Sequence, residues 1–422
     1  MNLGAYVRRQ PGLVVQPRMG LADPRAMRAG LRATRDAAAI TAGTITLDSY
    51  TRVGDLAAIE YAMREGIALN GYPIVSHSPE VTRAVVDGIG GDDFPVQVRH
   101  GSARPQAIFR AVNAAGLRAT EGGPISYCLP YGRTPLAESV ANWAECCAIL
   151  LDGGPGAHLE TFGGCLLGQL CPPSQLVAVS VLEALYFHRH GLRSISLSYA
   201  QQTNADQDVE AVYALRRLTA QLLPDADTHT VIYTYMGLAP RTAGGVEALL
   251  TRAVEIAAGT GAERLIVKTA AEAHRIPTVA ENIAALEHAA AQAAARYGTV
   301  ADDPGEGQIY QEAYAMIDAV LNADADLGRA IVTAFRRGLL DVPYCLHPDN
   351  AGRSRSYLDA DGRLRWAELG SLPIRAVAER TRAQAVSSAE FLESLSYVQR
   401  SFDAPALGRS TPAALALPEV NR

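Results

Sequence analysis

The sequence predicts a (β/α)8 TIM barrel with a C-terminal α-rich and irregular extension, and three observations predict it. Over the first 300 residues, short β-branched runs alternate with Ala- and Leu-rich helical stretches, the texture of parallel strands joined by crossover helices. Eight such runs can be counted, the number that closes a barrel; an open doubly wound sheet is the weaker alternative. The length of 422 residues suits one barrel with an appendage, since barrels alone take about 250 residues.

The strands fall, in order, at LVVQPR (13–18), TITLDSY (44–50), PVQVRH (95–100), LRATEG (117–122), HLETFG (158–163), SISLSYA (194–200), THTVIYTYM (228–236) and RLIVKT (264–269). Amphipathic stretches such as VGDLAAIEYAMREGIALN (53–70) and VEALLTRAVEIAAGTG (246–261) supply the helices between them. MGLADPRAMRAG, which follows the first strand, has neither GxGxxG nor GxxxxGK[ST], so nucleotide phosphates are not a predicted ligand. The barrel is assigned to residues 1–300 and the extension to 301–422. There DDPGEGQ (302–308) breaks the pattern, helices are expected at 309–322 and 325–339, and the turn-rich stretch 341–366 is expected to be largely non-helical.

Composition excludes several partners. With 38 basic and 44 acidic residues the formal net charge is -6, which offers no footprint for nucleic acid or an anionic membrane. The N-terminus lacks a signal-peptide apolar core, and no run reaches the length of a spanning helix, so a cytoplasmic protein is expected. Six cysteines form no CxxC pair and read as reduced, mostly buried thiols. No His/Cys spacing closes a metal site, and the tight pair His188 and His190 reads as a solvent-facing helix end.

In such barrels the reactive residues sit where strands end and the following loops begin. Strand one ends in Arg18, Arg52 follows strand two, and strand three ends in Arg99. A single rim arginine is ordinarily a structural salt bridge. Three on successive strands repel one another unless an anion with several acceptors, a dicarboxylate or a phosphate, lies between them. Strand four adds Glu121 in TEGGPISYCLPYGR, whose two glycines are expected to let backbone approach a ligand while Tyr127 and Tyr131 fold back over the mouth. A carboxylate beside three guanidiniums calls for a cation such as a substrate ammonium, so the set describes an amino dicarboxylate site. Strand eight ends in Lys268, followed by Glu272; the lysine could serve as a Schiff-base nucleophile, an anion ligand or a donor to a cofactor.

These motifs resemble those of the large (epsilon) subunit of adenosylcobalamin-dependent glutamate mutase, also called methylaspartate mutase. The resemblance runs co-linearly through QPRMG (16–20), TLDSYTR (46–52), LNGYP (69–73), QVRHG (97–101), EGGPISYCLPY (121–131), ETFG (160–163), YMG (235–237), IVKTAAEA (266–273), VTAFRRGLLDVPY (332–344), DNAGR (349–353) and ELGSLP (368–373). It implies that Arg18, Arg52 and Arg99 form a claw around the substrate carboxylates, that Glu121 and Tyr127 meet the amine as catalytic residues, and that Tyr131 and Phe162 complete the substrate pocket. It further implies that Gly20, Asn70, Met236, Lys268 and Glu272 line the cofactor cavity, with Lys268 and Glu272 at its adenosyl end.

The implied chemistry is an isomerisation: a radical rearrangement interconverting L-glutamate and (2S,3S)-3-methylaspartate, in which the cofactor carries the hard step and the protein holds the fragments. The chain has no DxHxxG segment, the cobalamin-ligating motif of the family's small subunit; DTHTVI (227–232) comes nearest and lacks the glycine. A small cobalamin-binding (sigma) subunit is therefore an expected partner, over the C-terminal face of the barrel, in a heterotetramer containing a homodimer of large subunits.

Departures from the family pattern are Pro124 for the third glycine of EGGG, Cys128 before LPY, GCLLG after strand five and Ala271 for a histidine. The chain is also read as starting at the first strand, without the family's N-terminal extension, which leaves any interface made by that extension unassigned. Two other readings use the same residues: a Schiff-base aldolase or lyase built on Lys268, and a catalytically silent relative that binds glutamate or scaffolds the small subunit.

Overall fold

The computed structural model describes residues 2–408 apart from 131, 167–169, 274, 297, 299 and 379–385. Eight parallel strands form one sheet: β1 (Val14–Pro17), β2 (Gly43–Thr46), β3 (Val96–Arg99), β4 (Ala119–Gly122), β5 (His158–Thr161), β6 (Ser194–Ala200), β7 (Asp227–Tyr233) and β8 (Arg264–Val267). Each coincides with one of the eight runs read from the sequence. Neighbours pair in the order β1-β8-β7-β6-β5-β4-β3-β2, and the ring closes where Val15 bridges Thr41 in parallel and Thr46 N donates to Met19 O at 2.9 Å. Closure rules out the open sheet and leaves no free edge.

The helix expected over 53–70 is shorter, Leu56–Arg64, and a separate short helix, Ser49–Val53, precedes it. Gly54 ends the preceding helix in the left-handed region at φ 77°, and Asp55 caps the following one by accepting the Ala58 N–H at 3.0 Å. Asp48 opens the preceding helix, accepting from Tyr50 N and Thr51 N, both at 2.9 Å. The break places Arg52 on a short helix over the mouth instead of on the crossover. The helix expected over 246–261 spans Ala243–Thr260, with Gly261 as its left-handed C-cap. Before β1, the helix Leu3–Arg8 lies across the strand starts, with Tyr6 donating its hydroxyl to Thr41 O at 2.7 Å.

The barrel interior departs from the usual layers of Val, Ile and Leu. Gln16, Gln97, Glu160, Ser196, His229 and Arg264 are buried together. Arg264 bonds Glu160 and Gln16, and it reaches His229 Nε2 at 3.2 Å and Ser196 Oγ at 3.1 Å. A buried ion pair is tolerable only when its remaining donors and acceptors are met in this way. Burial, reinforced by the Arg264 charge, pushes the His158 pKa down to about 3 and His229 well below its ordinary value, so the stacked pair is neutral.

Helices Gln308–Leu321 and Leu327–Arg337 follow the barrel, then a hairpin of β9 (Arg355–Leu358) and β10 (Leu364–Glu368). This region is tied to loops at the mouth end. Gln207 exchanges hydrogen bonds with Leu364 backbone at 2.9 Å, Leu136 N donates to Asp349 at 2.7 Å, and Asp403 accepts from Arg241 N and Thr242 N, each at 2.9 Å. The extension thus covers the loops after β4, β6 and β7. Among the described residues no helix is long and apolar enough to cross a membrane.

Candidate functional site

The strand ends bring the predicted residues together at the C-terminal mouth. Arg99, the last residue of β3, donates through Nε to Glu121 Oε2 at 2.8 Å, and both side chains are almost fully buried. Glu121, on β4, also accepts the Tyr127 hydroxyl at 2.6 Å and the Tyr233 hydroxyl at 2.8 Å. The cation beside Glu121 is therefore Arg99. Burial opposes charge on Arg99, but Glu121 together with the Tyr233 and Tyr127 hydroxyls outweighs it and raises the pKa well above the ordinary value. Arg99 Nη1 is buried and makes no hydrogen bond among the described residues. A buried guanidinium donor left open costs about 1–3 kcal/mol or more, which an anion in the mouth would recover.

Arg52 turns back on its own loop, donating through Nε and Nη2 to Leu47 O at 3.1 and 2.8 Å. Burial lowers its pKa, and Arg18 and Arg99 lie close enough for their charges to lower it further while Tyr127 and Glu121 oppose them. Arg18 pairs with Glu272 at 3.1 Å. The three arginines thus share one electrostatic neighbourhood, each held by a different partner.

Lys268, just past β8, donates to Tyr235 O at 2.7 Å. It is the sole lysine of the chain, although 38 residues are basic. Burial, then the Arg18 charge, lowers its pKa to about 7, against the attraction of Glu272. Glu272 accepts the Thr269 N–H at 3.1 Å as well as Arg18. Asn70 is exposed and accepts the Ser49 N–H at 2.9 Å, holding the start of the helix that carries Arg52. Met236 is half-buried, packed against the main core. Gly20 has a packing reason of its own, since a Cβ there would overlap the Thr46 backbone. Tyr131 lies outside the described residues.

Two expectations about the β4 loop are corrected. The glycines after Glu121 admit protein side chains, not a ligand: a Cβ on Gly122 would strike Trp143 and Tyr127, and one on Gly123 would overlap the Glu183 carboxyl. Tyr127 does not fold over the mouth. It is buried at the floor, its ring 5.0 Å from Phe162 and 5.1 Å from His100. Cys128 faces the extension, 3.8 Å from His347 Nε2, and donates to Thr134 O at 3.1 Å, with burial raising its pKa to about 12.

Four supporting residues escape a reading of strand ends. Glu183, in the helix Pro173–Arg189, accepts from Ile125 N at 3.1 Å, Ser126 N at 2.8 Å and Phe162 N at 3.2 Å, locking the loops that carry Tyr127 and Phe162. Its burial, partly offset by these donors, raises its pKa to about 7. Glu160, Tyr233 and Arg264 form the floor beneath Glu121. The available signal was a charged residue inside a run closed on both faces, HLETFG and RLIVKT, where only a paired charge can stay. Two cavities of 650 and 760 Å³ open away from the mouth, and none of the predicted site residues lines either.

Residues 6–395 match the family described as methylaspartate mutase E chain (MutE). The chain is similar to the glutamate mutase epsilon subunit of Halobacterium salinarum, with 34% identity over 348 residues, 78% of this chain and 71% of the relative. It is also similar to the epsilon subunit of Haloarcula marismortui, 32% identical over 380 residues covering 86% and 76% of the two chains. That of Escherichia coli O157:H7 is 29% identical over 350 residues, covering 78% and 72%. A barrel with an arginine-lined mouth, matched along nearly its whole length, belongs to the methylaspartate mutase E chain family, a family of mutases and hence of isomerases.

Proposed function

We propose that the chain is the large, substrate-binding subunit of an adenosylcobalamin-dependent glutamate mutase, interconverting L-glutamate and (2S,3S)-3-methylaspartate. The observation that carries this reading is Arg99: a buried guanidinium bonded to Glu121 on one side and open at Nη1 on the other. Such a group takes one substrate carboxylate through Nη1, and Arg18 and Arg52 take the other. The ammonium meets Glu121, which Tyr127 steadies. Holding both carboxylates in a closed barrel keeps the migrating fragment beside its partner and excludes water.

The donor set at the other side of the mouth suits a hydroxyl-rich ligand. Lys268 spends one N–H on Tyr235 O, and the Glu272 carboxylate keeps acceptor capacity beyond Arg18 and Thr269. Lys268 and Glu272 would hold the adenosyl ribose, with Asn70 and Met236 at the rim. Bound there, adenosylcobalamin supplies the radical that takes hydrogen from the substrate. A small cobalamin-binding (sigma) subunit brings the cofactor, in a cytoplasmic heterotetramer built on two large subunits. The segment 50–67 offers it a surface: Tyr50, Val53, Leu56, Tyr61, Met63 and Ile67 are exposed on and around the two short helices that follow β2.

The test is reconstitution. The purified chain, a cognate small subunit and adenosylcobalamin are mixed with L-glutamate and followed by NMR for 3-methylaspartate. Product requiring all three components supports the proposal; a complex with bound cofactor and no product overturns it. Borohydride trapping with substrate separates the Schiff-base alternative, which alone yields an adduct on Lys268.

A further inference from the structure

Beneath Glu121 lies a phenol with no assigned part in the reaction. Tyr233, the last residue of β7, is fully buried, and its one hydroxyl proton is shared between two carboxylates, Glu121 Oε2 at 2.8 Å and Glu160 Oε1. Its ring lies under the Arg99 guanidinium, 4.9 Å from centroid to Cζ, with Phe162 edge-on at 5.6 Å. Glu160 is held in turn by Arg264, by Ser196 Oγ at 2.9 Å and by Gln97 Nε2 at 3.2 Å, so strands β3, β5, β6, β7 and β8 converge on one rigid layer.

The other two partners of Glu121 are held by other means, Tyr127 through the loop that Glu183 locks. Tyr127 sits on the loop that follows Glu121 itself, and Arg99 is the group that a substrate carboxylate engages through Nη1. An anion that draws Arg99 toward itself draws Glu121 with it unless something anchors the carboxylate from below.

Building on the proposed function, we propose that Tyr233 is a positioning residue that anchors Glu121 to the Glu160–Arg264 layer, keeping its carboxylate aimed at the substrate ammonium while Arg99 engages a substrate carboxylate. Tyr233 touches no substrate. It acts on amine recognition through Glu121, so its hydroxyl matters for amino dicarboxylates and not for dicarboxylates lacking the amine.

Tyr233→Phe removes the hydroxyl and keeps the ring under Arg99. Dissociation constants for L-glutamate and for glutarate, which lacks the amine, are measured on the complex assembled with the small subunit and hydroxocobalamin, which does not turn over. The expected result is about tenfold weaker L-glutamate binding with glutarate changed less than about twofold, the loss of one hydrogen bond to a charged group. In a Glu121→Gln background the same substitution should add less than about twofold. Equal weakening of both ligands, full additivity on Glu121→Gln, unchanged L-glutamate binding, or failure of the Phe variant to assemble would each overturn the proposal in favour of a purely structural tyrosine. A wild-type complex that does not prefer L-glutamate to glutarate would instead overturn the amine-binding role of Glu121, and the positioning role with it.

Discussion

Because Lys268 is the sole lysine of the chain, labelling with [ε-13C]lysine gives one side-chain resonance whose shift reports its protonation directly. Burial and the nearby Arg18 bring its pKa from 10.5 to about 7, a difference on the order of a few kcal/mol between charged and neutral amine. The titration midpoint should therefore fall near pH 7. Arg18→Gln removes a repelling charge and should raise the midpoint, whereas Glu272→Gln removes an attracting one and should lower it. The sign carries to stability. Between pH 7 and 10.5 the unfolded chain binds the proton that the folded chain has released, so this lysine's contribution to stability rises with pH across that window. Its cost is greatest below pH 7 and gone above 10.5. A midpoint above about 9.5, or no response to Arg18→Gln, would refute the desolvated, cation-flanked placement of the amine.

Three further outcomes test the site. Arg99→Lys keeps charge but loses the planar fork that serves Glu121 and an anion together, so kcat/KM should fall by on the order of 2 kcal/mol or more; activity within twofold of wild type would refute the claw. Glu121→Gln should impair turnover more than assembly with the small subunit, measured by steady-state rates beside size-exclusion of the complex, and lost assembly with intact turnover would make Glu121 structural. Gly123→Ala forces a methyl into the Glu183 carboxyl and should destabilise the protein by about 3 kcal/mol in thermal or denaturant unfolding; an unchanged transition would mean that Glu183 does not lock the β4 loop.

Much of the site was legible because a barrel turns sequence position into spatial position. Once eight strands are identified, the residue closing each one is known to reach the mouth. That is why Arg18, Arg52, Arg99, Glu121 and Lys268 could be named from sequence order, and why the closed ring brings them into one electrostatic neighbourhood. The reading failed where a residue's role depends on what approaches from another element. Gly122 and Gly123 are small because Trp143 and Glu183, 21 and 60 positions later, occupy the space. No local pattern reports that.

Sequence alone therefore determined the strand count and the polar residues at the strand ends, since periodicity and composition are local properties of the chain, and it favoured the closed barrel over the open sheet that the structure then excluded. Tertiary structure alone decided which group neutralises which. Only there does Arg99 pair with Glu121 while keeping Nη1 open, Arg18 with Glu272, and Tyr233 with two carboxylates from separate strands. The reason is physical: the energy of a buried charge depends on distances across the barrel, set by packing between segments 22 to 254 residues apart, and no stretch of sequence contains them.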